Sequence, residues 1–364
     1  MEKGKISSAQ MGMMIYIFVL ATGVLSIPAI TGIHAGRDLW LSPILATPVG
    51  FLTAYIAIQL NKYYPKENLI QFSKHILGPF FGGILAFVYV CALLHFCGNI
   101  LRAYGEFVVG IVLPKTPMLF VIGSFALLCA FTVQAGLEVI GRTTQFFFPI
   151  YVIPLFTLFL FLFQDLHPEN MLPILENGLL PPFMGSIVPQ SWFGEYIFLS
   201  FLLPHISNRE KIKKISYLSI IGCTLTMVIV NLTILFLYGE RGANLLFPIV
   251  SAARYISIAD FFEHLDAIIV AIWITSIFIK INVLYYSVVV GTAHLFKLSD
   301  YRPIVFPIVF ISVLISIWTA PNMQHFLRAF GTAYPFHLLL LETVIPMILL
   351  LIAMVKNRKQ QTKR

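Results

Sequence analysis

Charged side chains set deep in apolar stretches are the residues of this chain that could do chemistry. Glu195 lies within Pro189-Gln190-Ser191-Trp192-Phe193-Gly194-Glu195-Tyr196, in the middle of an apolar segment from about 182 to 203. Lys280 and Glu342 lie near the centres of two later apolar runs, and Arg102 and Glu106 share an earlier one. A charge at the centre of a bilayer costs at least about 2.5 kcal/mol unless it is paired or hydrated. These residues are therefore candidates for charge pairing, an ion site or a ligand contact. Lys280 can pair with Glu195 or with Glu342, and the sequence leaves both open. Arg102 and Glu106 are spaced i, i+4 and can pair within one helix, which favours a structural role over a ligand contact. Asp266, near the end of its run, is expected to be solvated.

Two segments also carry signals that interrupt a helix. In Ala21-Thr22-Gly23-Val24-Leu25-Ser26-Ile27-Pro28, Gly23 lies near the middle of the first apolar run. Pro28 lacks the N–H that would bond back to Val24. The second signal is Gly194 beside Glu195. Broken backbone at membrane depth is tolerated only where it is buried in protein or lines a cavity. The candidate ligand-binding residues are thus Thr22, Gly23, Val24, Leu25, Ser26 and Ile27 in one segment, and Trp192, Phe193, Gly194 and Glu195 in the other. Freed N–H and C=O groups there could pair with the carboxylate and ammonium of a zwitterion. Either motif alone reads equally well as a packing kink. Their matched positions in the two halves of the chain favour a site.

The elements that must position these residues follow from composition. Of 364 residues 59% are hydrophobic and 11% charged, with a mean hydropathy of +0.88. A soluble domain carries about 25% charged residues, so the chain reads as an all-α polytopic membrane protein. Apolar runs long enough to cross about 30 Å of hydrocarbon fall near 10–33, 41–60, 79–112, 117–134, 143–163, 182–203, 214–238, 265–293, 303–320 and 333–355. That predicts ten transmembrane helices in one domain, 1–364. The first repeat covers about 10–163 and the second about 182–355. Five spans per half make the halves inverted in topology, and the interrupted spans, the first and sixth, begin the two halves. Lys3 and Lys5 before an apolar run resemble a signal peptide, but no soluble domain follows, so the run reads as an uncleaved first span. Ser7 and Gln10 have capping-box spacing at its start.

Seventeen lysines and arginines fall in the termini and loops of one side and five on the other. This bias puts both termini in the cytoplasm. The net charge of +8 is then a topology signal and not a nucleic-acid footprint, and the basic tail 356–364 suits an anionic lipid surface. On the outer side, the stretch Glu240–His264 is half apolar and predicts a helix or two over the outer mouth. Trp40 and Trp318 sit where interfacial anchors do, whereas Trp192 and Trp273 lie deeper. Cys91, Cys97, Cys129 and Cys223 lie in apolar runs without metal-ligand spacing and read as buried small hydrophobes. No catalytic triad, zinc motif or phosphate-binding glycine loop is present, so neither an enzyme, a metal nor a cofactor is expected.

The chain resembles the spore-germination permeases, the B-type membrane subunits of nutrient germinant receptors, within the amino acid–polyamine–organocation transporter superfamily. The resemblance runs essentially end to end. It is carried by Ile27-Pro28, Ala35-Gly36-Arg37-Asp38-Leu39-Trp40, Asn170-Met171-Leu172-Pro173-Ile174 with Gly178, and Phe193-Gly194-Glu195. Phe247-Pro248 with Arg254-Tyr255-Ile256, Phe261 to Ala267, and Trp273 to Lys280 complete it. His264 departs from the pattern, where the family usually has arginine. The resemblance implies a ten-helix inverted-repeat fold, a small nutrient as ligand and two other receptor subunits as partners. It also implies residence in the spore inner membrane. A proton-coupled amino-acid transporter is the alternative function.

Overall fold

The computed structural model describes residues 2, 4–256, 265–319, 329 and 331–361, with only the backbone at 265, 266 and 358–361. The stretch 261–264 with His264, Arg328 and the tail residues 362–364 lie outside the described residues, as does the side chain of Asp266. The protein is helical throughout, and no strand occurs among the described residues. Eight helices there are long and apolar enough to cross a membrane. Of the remaining two expected spans, 182–203 is broken into short pieces, and 303–320 forms a shorter apolar helix, Arg302–Trp318.

The first helix, α1 (Ser8–Ala35), starts where Ser7 and Gln10 cap each other reciprocally. It is apolar on all sides, the pattern of a helix enclosed by others. Of its membrane-length window 72% is buried, against 22% for α6 (Leu137–Leu162). Thus α1 runs through the middle of the bundle, while α6 turns Phe146, Ile153 and Leu160 outward. Around α1 pack α6, α10 (Ile212–Tyr238) and α12 (Leu265–Leu295). On their flanks lie α2 (Leu41–Tyr63), α4 (Pro79–Phe107), α5 (Met118–Ala135) and α13 (Val305–Trp318).

The expected interruption of the first span is not found: α1 is continuous through Gly23 and Pro28. Proline removes only one backbone hydrogen bond, the one to the Val24 carbonyl, which a membrane helix tolerates. Ser26 donates to the Thr22 carbonyl at 2.9 Å and Thr31 to the Ile27 carbonyl at 2.8 Å. Close packing on every side then holds the helix together. The sixth apolar run does break. Short helices α7 (Leu180–Gly185) and α8 (Ile187–Gly194) give way at Glu195 to a 3-10 turn, Glu195–Phe198, before α9 (Leu199–Leu202). The last run is continuous but carries a local irregularity. Between α14 (Ala333–Leu339) and α15 (Ile345–Gln361) a π-helical turn, Leu340–Val344, carries Glu342. Such a turn inside a helix often marks a functional position.

At the end of the bundle away from the N-terminus, α11 (Pro248–Tyr255) supplies the expected helix of the 240–264 stretch. There the two loop motifs Ala35–Trp40 and Asn170–Ile174 meet. Buried Asp38 accepts the Leu175 N–H on both carboxylate oxygens, at 3.0 and 3.1 Å. Arg37 joins the Leu172 carbonyl to Glu240, and the Asn170 amide donates to the Leu235 and Phe236 carbonyls at the end of α10.

The opposite end is laced by the N-terminal segment. Ile6 bonds through its backbone to His205 and Ser207, and the Ser8 N–H donates to Asn208. The helix α3 (Leu69–Leu77), capped by Asn68 and Gln71, was not expected from hydropathy because it is too short to span, although the Asn68…Gln71 spacing is a cap signal. Lys74 on α3 donates to the Leu295 carbonyl at the end of α12. Glu2 accepts from the N–H groups of Gly4 and Leu137 and from the Tyr301 hydroxyl. Burial raises the pKa of Glu2, but these donors outweigh it and hold the group below its ordinary value of 4.5. A carboxyl lowered on folding contributes stability above its unfolded pKa and loses it as pH falls through the folded value. Glu2→Gln is therefore expected to melt below wild type at neutral pH, with the gap closing below pH 4.5; thermal unfolding of both proteins across acid pH checks this.

Candidate functional site

The centre of the bundle is built around the Lys280 ammonium. Lys280 lies midway along α12 and is 0% exposed. Its Nζ donates to Glu195 Oε1 at 2.6 Å, to Glu195 Oε2 at 2.8 Å and to Thr22 Oγ1 at 3.1 Å. An ammonium has three N–H donors, so all are used. The rings of Phe18 and Phe96 lie with their centroids 4.7 and 5.4 Å from Nζ, within range for cation–π attraction. One side chain thus ties together α1, α4 and the 3-10 turn at Glu195 in the sixth apolar run. Each buried ion loses several kcal/mol of hydration, which only close geometry and complete hydrogen bonding offset.

Glu195 is the first residue of the 3-10 turn that follows α8, and its carboxylate meets the Lys280 ammonium there. Glu342 lies against the same break from the other side. A Cβ added to Gly194 would come within 3.0 Å of Glu342 Oε2 and 3.3 Å of Thr343 Oγ1. Thr343 in turn shares a hydrogen bond with Thr53 on α2. Of the two pairings left open by the sequence, the structure forms Lys280–Glu195. Glu342 Oε2 is buried without a hydrogen-bond partner.

The other candidate residues are placed as follows. Thr22 touches Lys280 directly, and Gly23 faces α10 and the sixth span: a Cβ there would meet Met227 Cε at 2.9 Å and Trp192 at 3.6 Å. Val24, Leu25 and Ile27 are buried, and Ser26 bonds within its own helix. Trp192 and Phe193 are buried, with Phe193 packed against Gly50 of α2. The crossing of α1 with α8 is close-packed. Arg102 and Glu106 form a separate ion pair within α4, with Nη2–Oε1 at 2.6 Å, outside the Lys280 cluster. Two contributors escaped the sequence reading, Phe18 and Phe96. Phe18 stands one helical turn before Thr22, a spacing that could have revealed it. Phe96 comes from another helix and had no such signal. Among the described residues no group of His, Cys, Asp and Glu could hold a metal.

The sequence profile of the spore germination protein family matches residues 5–324. The chain belongs to that family. Spore germination protein KB of Bacillus subtilis (strain 168) is 26% identical over 374 residues, covering 100% of this chain and 98% of that protein. YndE of the same organism, also a spore germination protein, is 24% identical over 365 residues, with 98% of each chain covered. Among solved structures, the nucleobase-cation-symport-1 family transporter Mhp1, closed with bromovinylhydantoin bound, is similar with a TM-score of 0.68. It is 11% identical over 93% of this chain and 77% of that one. MhsT in complex with L-phenylalanine gives a TM-score of 0.65 at 13% identity, over 96% of this chain and 89% of that one. These similarities establish a transporter fold, and neither the family nor the relatives are enzymes.

Removing one partner of a buried ion pair leaves the other uncompensated and costs about 3–5 kcal/mol. Lys280→Met is expected to show such a loss in thermal unfolding, and Lys280→Met with Glu195→Gln to recover most of it. A double variant no more stable than Lys280→Met alone would show that the two residues are not coupled.

Proposed function

We propose that this spore germination protein is the membrane subunit of a nutrient germinant receptor. On this reading it binds a small nutrient, an amino acid, between the first and sixth spans, and passes the signal to two other receptor subunits. The observation that carries the reading is the Lys280–Glu195–Thr22 cluster at the broken sixth span, in a chain of the germination family with a transporter fold. Binding a zwitterion there would need α1 and α8 to separate by a small rotation. The backbone groups freed at Gly194 and the residues Gly23–Ile27 would then face the ligand. The solved relatives support a small polar ligand: one holds L-phenylalanine and another a hydantoin.

The same proposal includes ten spans in two inverted halves of five, with 182–203 as the broken sixth and 303–320 as the ninth. It places both termini in the cytoplasm, on the lysine- and arginine-rich side, and the protein in the spore inner membrane. Lys280 supplies a fixed positive charge beside α1, which makes a sodium ion unnecessary at that position. The second reading, a proton-coupled amino-acid transporter, is favoured by the transporter identity of the solved relatives. Uptake of labelled amino acid by vesicles containing this chain alone would select it.

Germination of a strain lacking the protein, tested against a panel of amino acids, nucleosides and sugars, is expected to fail for one nutrient class. Gly23→Leu would push a side chain against Met227 and Trp192, where a Cβ alone already comes within 2.9 Å of Met227 Cε. It is expected to abolish the nutrient response at normal membrane abundance, read by immunoblot and dose-response; an unchanged dose-response rules out this placement. Glu195→Gln keeps the shape and removes the charge; it leaves Lys280 without its counter-charge, so it should lose stability as Lys280→Met does and respond poorly even where its membrane abundance is matched to wild type. A wild-type response at normal abundance would make Glu195 a packing residue and exclude a charge-based site.

A further inference from the structure

The end of the bundle that carries the N-terminus holds a cleft with an excess of positive charge. It lies between the last turns of α2 and the start of α10 and has a volume of about 510 Å³. Lys62 of α2, Arg209 of the turn before α10, and Lys213 of α10 line it, against one acid, Glu210. Two of these cations are held in place by neutral groups. The Arg209 guanidinium donates to the Pro65 carbonyl at 3.0 Å, which anchors it across the end of α2. The Lys213 ammonium stands 5.7 Å from the centre of the Tyr217 ring, within range of cation–π attraction. Among the described residues none of the three cations is paired with a carboxylate.

The wall that adjoins the cations is apolar. Tyr55 and Tyr217 line the cleft, and Tyr217 packs edge-on against Phe51 of α2 with ring centroids 5.2 Å apart. Positions 48, 52, 55, 59 and 62 of α2 share one face by helical spacing. Pro48, Leu52 and Tyr55 are exposed on that face, Gln59 is half-buried and Lys62 is exposed. The face is therefore apolar along the span and becomes polar, then cationic, where it enters the cleft. The volume lies within the range of about 300–1,000 Å³ found for organic ligands and is far more than a single ion needs. A soluble anion would use the cations and leave the apolar face bare, whereas a phospholipid would cover both.

We propose that this cleft binds one anionic phospholipid, its phosphate held by Lys62, Arg209 and Lys213 and an acyl chain laid along Leu52 and Tyr55. Basic pockets between membrane helices suit such head groups. A guanidinium can donate two parallel N–H groups to two phosphate oxygens, and the ammonium groups add point charges. The bound lipid joins α2 to α10 at the end that the N-terminal segment laces. Asn208, next to Arg209, accepts the Ser8 N–H at 2.6 Å, so whatever steadies Arg209 also steadies that lacing. The site stands apart from the Lys280 cluster and from any nutrient site, so its failure would leave the receptor reading intact.

The test is thermal unfolding of the purified full-length protein in nanodiscs of phosphatidylcholine, with phosphatidylglycerol replacing it stepwise. Wild type is expected to gain Tm saturably with phosphatidylglycerol and to retain one such lipid in native mass spectrometry. The triple variant Lys62→Gln, Arg209→Gln, Lys213→Gln is expected to lose both. The double variant Lys62→Gln, Lys213→Gln leaves the Arg209–Pro65 bond in place and serves should the triple variant fail to fold. A control triple, Lys66→Gln, Lys211→Gln, Lys214→Gln, removes the same charge from the same two loops outside the cleft and is expected to keep the gain. Equal loss in the two triples would mean diffuse attraction to an anionic surface and would overturn the site. A Tm gain from inorganic phosphate in pure phosphatidylcholine discs, equal to that from the lipid, would make a free anion the ligand and overturn the lipid. A lipid-free dimer in native mass spectrometry would place a second copy on this face and also overturn it, as would a wild type indifferent to phosphatidylglycerol.

Discussion

A lysine ammonium held away from water must find an acceptor for each of its three N–H groups, and the rest of this bundle is arranged around that requirement. Lys280 takes two from Glu195 and one from Thr22. Meeting it fixes the register of α12 against α1. It also ties α12 to the start of the 3-10 turn that follows Gly194. Phe18 and Phe96 close the remaining faces of the ammonium with rings instead of water. Removal of any one acceptor would leave a donor in a medium that offers none.

The surrounding helices gain nothing from the hydrophobic effect by meeting one another in lipid, so they must be held by close packing and hydrogen bonds. Small residues allow the approach: Gly50 admits Phe193, and Gly194 admits the Glu342 carboxylate. Hydroxyl and amide side chains do the rest. Tyr16 meets Thr226, Tyr196 meets Ser219, and Asn231 joins Thr31 to the Leu39 carbonyl. At the end away from the N-terminus, the loop motifs that carry the family resemblance are bound to each other through Asp38, Arg37 and Asn170. At the other end the N-terminal segment and α3 tie the ends of α12 and the 203–208 loop. The charged centre therefore lies between two laced ends, with the crossing of α1 and α8 closed.

The sequence by itself determined the environment of the chain and the identity of its exceptional residues. Composition required a membrane, the apolar runs placed most of the helices, and the Ser7–Gln10 cap fixed where α1 begins. Glu195, Lys280 and Glu342 were conspicuous because a charge in a long apolar run is expensive wherever the fold puts it. The Arg102–Glu106 pair was legible because both partners lie on one helix at fixed spacing. What only the tertiary structure decided were the matters that depend on neighbours distant in the chain. Gly23 and Pro28 carry the same local signal as Gly194, yet α1 stays continuous while the sixth apolar run divides into short helical pieces. Both segments are enclosed by other helices, so enclosure does not separate them; the contact that differs is the ion pair of Glu195 with Lys280. The choice of Glu195 over Glu342 as the lysine's partner, the rings of Phe18 and Phe96, and the unpartnered oxygen of Glu342 were equally out of reach. Each depends on which faces of separate helices meet, and helix periodicity alone leaves that rotation undetermined.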